Sequence, residues 1–366
     1  MARLSVLIPV YRGSMQLEPL LEALRRDPYP DKEVVVVADA PLPETRGLPE
    51  RHPETRFIFN EERVGKVDAL NGAVPQTDGE YLLFLDADVE VRQDGFLGRV
   101  VEALDEYELV DIKKMIVRDS PLARLVSYDY LSSSLTNLLF SSLLGRSPQL
   151  NGAAFAVRRG TLQRLGGFPK AICEDLEMAF AAYTRGVSFR FAEDIEVHNA
   201  VDPSLGRWVV QRRRWGIGLA HWITGHIGAL LVNAARNPHV FVAALLVIFP
   251  SAPLIVMSFL LPNGLYMKLL SLVLMLLSGG HVLLVPPVYA IALSLMVAKV
   301  MTATTMSFVG TGVAFYVASR RLGYRFNVVE YTAYFLFYNP AWFLMTVMSL
   351  IHVLVRRGSP ELDWKV

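Results

Sequence analysis

The charge along this chain is divided so sharply that one solvent cannot serve both of its halves. Between His239 and Ser319 the only charged side chains are Lys268 and Lys299. That tract is long enough for two or three crossings of a hydrocarbon core about 30 Å thick. Residues 1 to 235 carry nearly all the remaining charge. The 366 residues are 52% hydrophobic and their mean hydropathy is +0.34, too apolar for an ordinary soluble protein. The expectation is a water-facing half followed by a membrane-embedded one.

The run Leu4 to Val10 is too short for the core of a secretory signal, and Tyr11-Arg12 follows at once with no small-residue cleavage site. It reads as a buried first strand. The protein is therefore expected to be integral to the cell membrane with its soluble half in the cytoplasm, which a single cysteine, Cys173, permits. A net charge of +1 gives no nucleic-acid footprint, so no such partner is expected. Arginines are densest from Arg207 to Arg214, where a phosphate or an anionic lipid headgroup is the natural partner.

The first hundred residues alternate between strand and helix signals. Leu4 to Val10, Glu33 to Ala38, Phe57 to Asn60 and Tyr81 to Leu85 are apolar or β-branched runs, whereas Met15 to Arg26 and Lys66 to Ala73 have helical spacing. Fully apolar strands between helices predict an α/β fold with a parallel sheet covered on both faces. In such sheets ligands sit beyond the carboxyl ends of the strands. That rule selects Pro9 to Tyr11, Asp39 and Asp86-Ala87-Asp88.

Pro121 to Gly145 suits a helix lying on the membrane or against the domain. A second α/β portion has strands at Ala153 to Val157 and Phe189 to Phe191, with a helix from Asp175 to Gly186 between them. Arg207 to Ala220 reads as amphipathic and interfacial. Candidate spans are Val240 to Leu261, Leu265 to Val285, Tyr289 to Tyr316 and Val329 to Val355. The basic loop Arg320 to Arg325 and the tail Arg356-Arg357 both favour the cytoplasmic side. A single crossing by Val329 to Val355 forbids that, so either this segment is re-entrant near Asn339-Pro340 or the charge rule fails here.

Several side chains have chemistry to offer, each beside a plainer reading. Asp86-Ala87-Asp88 at a strand end can clamp Mg2+ or Mn2+ together with substrate phosphates, or form a solvated turn. Glu174-Asp175 opens a helix, where acidic residues also serve as caps; in the functional reading one of the pair is a general base whose pKa is raised by burial and by its neighbour. Lys66 after Gly65 can steady a phosphate or face solvent, and Asp39 can accept from a nucleobase or ribose or simply sit in a turn. In Gln211-Arg212-Arg213-Arg214-Trp215, helical spacing puts Gln211, Arg214 and Trp215 on one face and points Arg212 and Arg213 elsewhere. Snorkelling at the headgroups is the plain reading of that cluster. Lys299 falls mid-span, where a lone charge costs about 2.5 to 3.5 kcal/mol, and it is expected to snorkel or face the bundle.

Taken in order, Pro9-Val10-Tyr11, Asp39, Gly65-Lys66 with Ala69-Leu70-Asn71, Asp86-Ala87-Asp88, Asn151-Gly152, Glu174-Asp175 and Gln211-Arg212-Arg213-Arg214-Trp215 resemble the motif series of family 2 inverting glycosyltransferases. The membrane branch with cellulose, hyaluronan and chitin synthases and ceramide glucosyltransferase is the most similar, over residues 4 to 215. The resemblance implies a GT-A, Rossmann-like catalytic domain over residues 1–205. Interfacial amphipathic helices over 206–238, a transmembrane helical region of three or four segments over 239–355 and a tail over 356–366 would follow.

It further implies that Pro9, Tyr11, Asp39 and Lys66 hold a nucleoside diphosphate sugar, with GDP and UDP both open, and that Asp86 and Asp88 engage ribose and metal. Asp175, beside Glu174, would be the base. Gln211, Arg214 and Trp215, with Gly152, would meet the diphosphate and acceptor. This sequence shows fewer candidate spans than the large synthases, so transfer of a single hexose to a lipid-linked or lipid phosphate acceptor is expected. A processive polysaccharide synthase and a non-catalytic, nucleotide-sensing membrane transporter are the alternatives.

Overall fold

The computed structural model describes residues 2–250 and 288–356. The expected early elements are present: β1 (Leu4–Tyr11), α1 (Leu17–Arg26), β2 (Lys32–Asp39), the short α2 (Pro43–Arg46) and α3 (Leu48–Arg51), β3 (Arg56–Asn60), α4 (Lys66–Ala73) and β4 (Tyr81–Leu85). There follow β5 (Val89–Glu90), α5 (Phe96–Glu106), β6 (Leu109–Ile116), α6 (Pro121–Leu144), β7 (Ala154–Arg158), α7 (Arg159–Leu165), α8 (Glu174–Thr184) and β8 (Phe189–Asn199).

The strands form one sheet in the order β3-β2-β1-β4-β7-β6-β8-β5. Period-two alternation splits its side chains between two cores. Leu7, Val35 and Phe84 face one core, while Val6, Ile8, Val36 and Leu83 face the other. The sheet is mixed, not parallel as expected: β7 runs antiparallel to both β4 and β6, and β5 antiparallel to β8. A five-residue apolar run reads the same in either direction, so strand polarity was not encoded in the pattern that revealed the strands.

Strand β6 escaped the sequence reading because Asp111, Lys113 and Lys114 break its apolar pattern. All three are buried. Asp111 pairs with Lys114, and its other oxygen accepts from Asn137 at 2.6 Å, so the charges are satisfied inside the fold. Helix α6 lies against the domain, packed on β6 and β8. Ser120 caps its first turn by accepting from the Ala123 N–H, and Gly145, at φ 61°, ends it.

Beyond the sheet come α9 (Leu205–Arg236), α10 (Pro238–Ile248), α11 (Val288–Leu322), α12 (Val328–Ala333), a π-helical turn (Tyr334–Tyr338) and α13 (Asn339–Arg356). Leu205–Arg236, Val300–Leu322 and Val328–Val355 are long and apolar enough to cross a membrane. The segment expected as several interfacial helices is one continuous helix up to Arg236. Of the expected spans, Tyr289 to Tyr316 falls within α11, Val240 to Leu261 is described only to residue 250, and Leu265 to Val285 lies outside the described residues, as do Lys268 and the side chain of Lys299. Helix continues from Val328 through Asn339-Pro340 without a re-entrant break. The π-turn lies immediately before Pro340, whose missing N–H would interrupt a regular α-helical ladder.

Candidate active site

The strand order sets neighbouring carboxyl ends side by side, with Tyr11 in register with Asp39 and Asp39 with Asn60. The backbone turns sharply there: Arg12 at φ 62° and Ala40 at φ 47° adopt the left-handed conformation, which costs a non-glycine residue roughly 1–2 kcal/mol. Tyr11 is exposed, and the guanidiniums of Arg12 and Arg63 stand 5.3 and 4.5 Å from its ring centre. Pro9 is half-buried one turn of strand earlier.

Asp39 is buried. Its two carboxylate oxygens accept the backbone N–H groups of Val64 and Gly65, each at 2.8 Å. Its evident work is to hold the loop that launches α4, and Gly65 sits there at φ 92°, a conformation open to glycine. That loop delivers Lys66. Its Nζ lies 2.8 Å from Asp86 Oδ1 and 3.4 Å from Glu174 Oε1. Burial opposes the charge of Lys66, but the carboxylates of Asp86, Glu174 and Asp175 outweigh it and hold the ammonium well above its ordinary pKa.

Asp86 continues the β4–β7 ladder, its N–H donating to the Ala153 carbonyl at 2.8 Å. This brings the Asn151-Gly152 turn alongside. The Gly152 N–H donates to Asp175 Oδ2 at 2.9 Å, while Asp175 Oδ1 accepts the Leu176 N–H at 2.8 Å. A Cβ on Gly152 would stand 3.0 Å from Asp175 Oδ2, so glycine lets the carboxylate approach. Burial, and then the neighbouring Glu174 carboxylate, raise the Asp175 carboxyl to about 6. Crowding by protein atoms and the Asp86 carboxylate push the Asp88 carboxyl up as well, although Asp88 is exposed.

Asn71 clamps the approach to α8. It donates to the Phe168 carbonyl and accepts the Phe168 N–H, both at 2.9 Å. Helix α9 closes in so tightly behind α8 that a Cβ on Gly218 would lie 2.2 Å from Cys173 Sγ. Burial, with Asp175 and Glu174 nearby, raises the Cys173 thiol far above its ordinary value, which leaves it a poor nucleophile.

The arginine cluster departs from the expected division of faces. Arg212 is turned inward and 2% exposed, with its guanidinium 2.7 Å from Asp129 Oδ2 and 2.7 Å from the Tyr338 hydroxyl. Trp208, Trp215, Tyr338 and Trp342 surround it, the Trp215 ring centre at 4.3 Å. Arg212 and Trp215 are three apart on the helix and therefore neighbours. Gln211 and Arg213 are exposed, and Arg214 and Trp215 half-buried; Arg214 lies close enough to Cys173 to act on its thiol. Asp129, in the middle of α6, carried no motif in the sequence. Its only local signal was a single acid in a helix of serines and apolar residues.

Asp86, just beyond β4, and Glu174, at the start of α8, converge on Lys66 at the start of α4. Among the described residues, no group of three or more His, Cys, Asp or Glu side chains is placed to hold a metal. The chemistry of the donors nonetheless fits a hard cation. Asp86 and Asp88 are two carboxylates one residue apart, with desolvation and then the Asp86 charge raising the Asp88 pKa, and Mg2+ or Mn2+ takes one or two carboxylates with the rest of its shell from phosphate and water.

Residues 5–164 match the family model described as Glycosyl transferase family 2. The chain is 21% identical over 222 residues to a poly-beta-1,6-N-acetyl-D-glucosamine synthase of Staphylococcus epidermidis, a match covering 59% of this chain and 54% of that protein. It is 22% identical to the protein of the same name from Staphylococcus aureus strain COL, over the same shares. The chain spans about half the length of these curated relatives. Among solved structures, the mannosyltransferase PcManGT from Pyrobaculum calidifontis, in complex with GDP-Man and Mn2+, aligns over 97% of this chain and 86% of its own, with a TM-score of 0.52 and 19% identity. Since the matched family segment contains the strand ends that carry Tyr11, Asp39, Lys66, Asp86 and Asp88, this chain carries a glycosyl transferase family 2 domain of GT-A architecture.

Proposed function

We propose that the protein transfers one hexose from a nucleoside diphosphate sugar to a lipid-linked acceptor at the cytoplasmic face of the cell membrane, with inversion at the anomeric carbon. The observation that carries this reading is the meeting of Asp86, Lys66 and Glu174 beside Asp175. A cation from α4 and three carboxylates, one beyond β4 and two from α8, form a charged site, and one of those carboxyls is raised to about 6, as suits a general base.

In this reading Asp175 accepts the proton of the acceptor hydroxyl on a carboxylate that the Gly152 N–H holds through Oδ2 and the Leu176 N–H through Oδ1. The acceptor oxygen bonds to the anomeric carbon as the bond from that carbon to the diphosphate breaks, and the nucleoside diphosphate leaves with the electron pair. Lys66 would then exchange part of its pairing with Asp86 for the diphosphate. Arg214 and Gln211 would face it from α9, with Trp215 and Gly152 bordering the acceptor. Asp86 and Asp88 would hold Mg2+ or Mn2+, which would neutralise charge on the diphosphate. The nucleotide sugar and divalent ion draw support from the GDP-Man and Mn2+ of the P. calidifontis mannosyltransferase. The lipid acceptor draws support from the exposed Val209 and Val210 beside Gln211 on a helix long and apolar enough to enter a membrane. Assembly of a lipid-linked oligosaccharide or envelope glycan is the setting this chemistry suits.

A processive reading takes its support from the poly-beta-1,6-N-acetyl-D-glucosamine synthases. Screening GDP- and UDP-sugars in membranes for Mg2+- or Mn2+-dependent nucleotide release, with and without polyprenyl phosphate or glycolipid acceptors, separates the readings. One sugar on the added lipid supports the proposal, and long polymer from donor alone supports the synthase. Asp175→Asn should bind donor and release no nucleotide beyond background. Unchanged release from that variant would remove Asp175 from the mechanism, and no release from any donor would favour a transporter.

A further inference from the structure

Helix from Val328 to Arg356 begins and ends on the soluble half of the molecule. At its start, the Asn327 N–H donates to the Tyr128 hydroxyl at 2.8 Å, that hydroxyl donates to the Asn327 carbonyl at 2.9 Å, and Arg118 pairs with Glu330. About six turns on from Val328, Ser349 abuts Gly216 of α9, where a Cβ would come within 2.7 Å of the serine hydroxyl. Near its end, Val353 and Leu350 pack with Ile217, Ala220 and Ile172, the last only two residues before Glu174. Tyr128 belongs to the helix that covers the sheet, and Ile172 to the loop entering the active site. A helix of this length measures about 42 Å at 1.5 Å per residue. Were it to cross a bilayer away from the domain, its far end would stand clear of both.

The two faces of this helix are inverted relative to a helix packed in water. The buried stripe of α13 carries Asn339, Trp342, Thr346, Ser349 and Val353, following Tyr338, and so holds three polar side chains among five. The stripe turned outward is Phe337, Ala341, Leu344, Met348, Ile351 and Val355, at spacings of four and three, and holds apolar side chains alone. Five turns of unbroken exposed hydrocarbon would be an aggregation liability in water. The basic side chains before it, Arg320 and Arg325, are exposed, and exposed arginines complement anionic headgroups.

We propose that Val328–Arg356 does not cross the bilayer but lies in the plane of its surface, seating the Phe337 to Val355 stripe in the acyl layer of the leaflet nearest the catalytic domain. The loop Arg320 to Arg325 and the tail Arg356-Arg357 then share one side, and the opposing demands of the two basic segments disappear. The occupant of the stripe is lipid. A second copy of the chain is the other outcome that the test distinguishes.

The experiment reads position, not turnover, so its result is independent of the proposed reaction. Full-length protein carrying Phe337→Cys, Leu344→Cys, Ile351→Cys or Val355→Cys is labelled with an environment-sensitive fluorophore and reconstituted into phosphatidylethanolamine–phosphatidylglycerol vesicles with quenchers at known acyl depths. The in-plane helix gives the same shallow depth at all four sites. A crossing helix spreads Phe337 and Val355 by about 27 Å and overturns the proposal, as does quenching at none of them, which would place the stripe against protein. In sealed vesicles, Arg325→Cys and Lys365→Cys should also be labelled by an impermeant maleimide from the same side. Labelling from opposite sides overturns it independently.

Discussion

Arg212 of α9 and Asp129 of α6 form an ion pair at 2.7 Å that fastens the helix bearing Trp215 to the sheet-covering layer. Breaking a buried pair by removing one partner costs about 3–5 kcal/mol, because the other charge is left uncompensated. Asp129→Ala is therefore expected to lower unfolding stability in detergent by that order, and Arg212→Met with Asp129→Leu to recover much of it. Recovery of stability without recovery of turnover would show that the guanidinium also sets the Trp215 ring against which it lies. Full turnover in the double variant would reduce the pair to a fastener.

The raised Asp175 carboxyl predicts the pH profile. A base is useful only when deprotonated, so kcat/KM should rise with pH through a midpoint near 6 and fall about tenfold per unit below it. Glu174→Gln removes a neighbouring negative charge that raises Asp175, so the midpoint should move to lower pH. The same shift affects stability. A carboxyl whose pKa is raised by folding holds its proton more tightly when folded, so it favours the fold below about pH 4 and loses that contribution as pH rises through 6. Asp175→Asn should thus be at least as stable as the parent at pH 8 while failing to release nucleotide. A profile flat from pH 5 to 7 would exclude Asp175 as the base.

What could be read in the chain and what could not follow from the kind of signal each residue gives. Asp86, Asp88, Glu174 and Asp175 stood out as a set, because acids recur at strand ends and at a helix start in the order of the motif series they resemble, although each alone also reads as a turn or a cap. Asp39 was visible for the same reason, but its two backbone partners come from a loop 25 and 26 residues away and no local pattern records them. Asp111 and Lys114 hid β6, since a buried pair reads as two surface charges until its partners are known. The inward turn of Arg212 depends on Asp129 and Tyr338, distant by 83 and 126 residues. Spacing within the helix could say which arginines share a face, not which face is buried.

The close approach of Gly218 to Cys173 predicts a compensating pair. Gly218→Ala places a methyl 2.2 Å from Cys173 Sγ, so the thiol must rotate away or α9 must shift from the residues that open α8. Overpacking of this kind typically costs 1–3 kcal/mol, and a helix displaced beside Glu174 should lower turnover as well. Removing the sulfur with Cys173→Ala in the Gly218→Ala background should restore much of both melting temperature and activity, since the 2.2 Å contact disappears and Ile172 Cγ2 at 3.1 Å and the residue 173 Cβ at 3.4 Å become the nearest neighbours. Failure of the double variant to recover would place the strain at Ile172, which the new methyl meets at 3.1 Å.

Asp39 distinguishes two ways of serving the donor. If its carboxylate read the base directly, Asp39→Asn would alter the preference between GDP and UDP. Its observed contacts are instead two N–H groups of the loop ahead of Lys66, and an asparagine must turn its NH2 toward one of them. Leaving a buried donor unsatisfied costs about 1–3 kcal/mol, which would loosen Gly65 and let Lys66 wander from Asp86. The expected result is a Kd raised about tenfold for every nucleoside diphosphate tested, at 1.4 kcal/mol per factor of ten, with the ratio between bases unchanged. Isothermal titration of GDP and UDP against parent and variant measures this directly, and a change in the ratio would return Asp39 to the nucleobase.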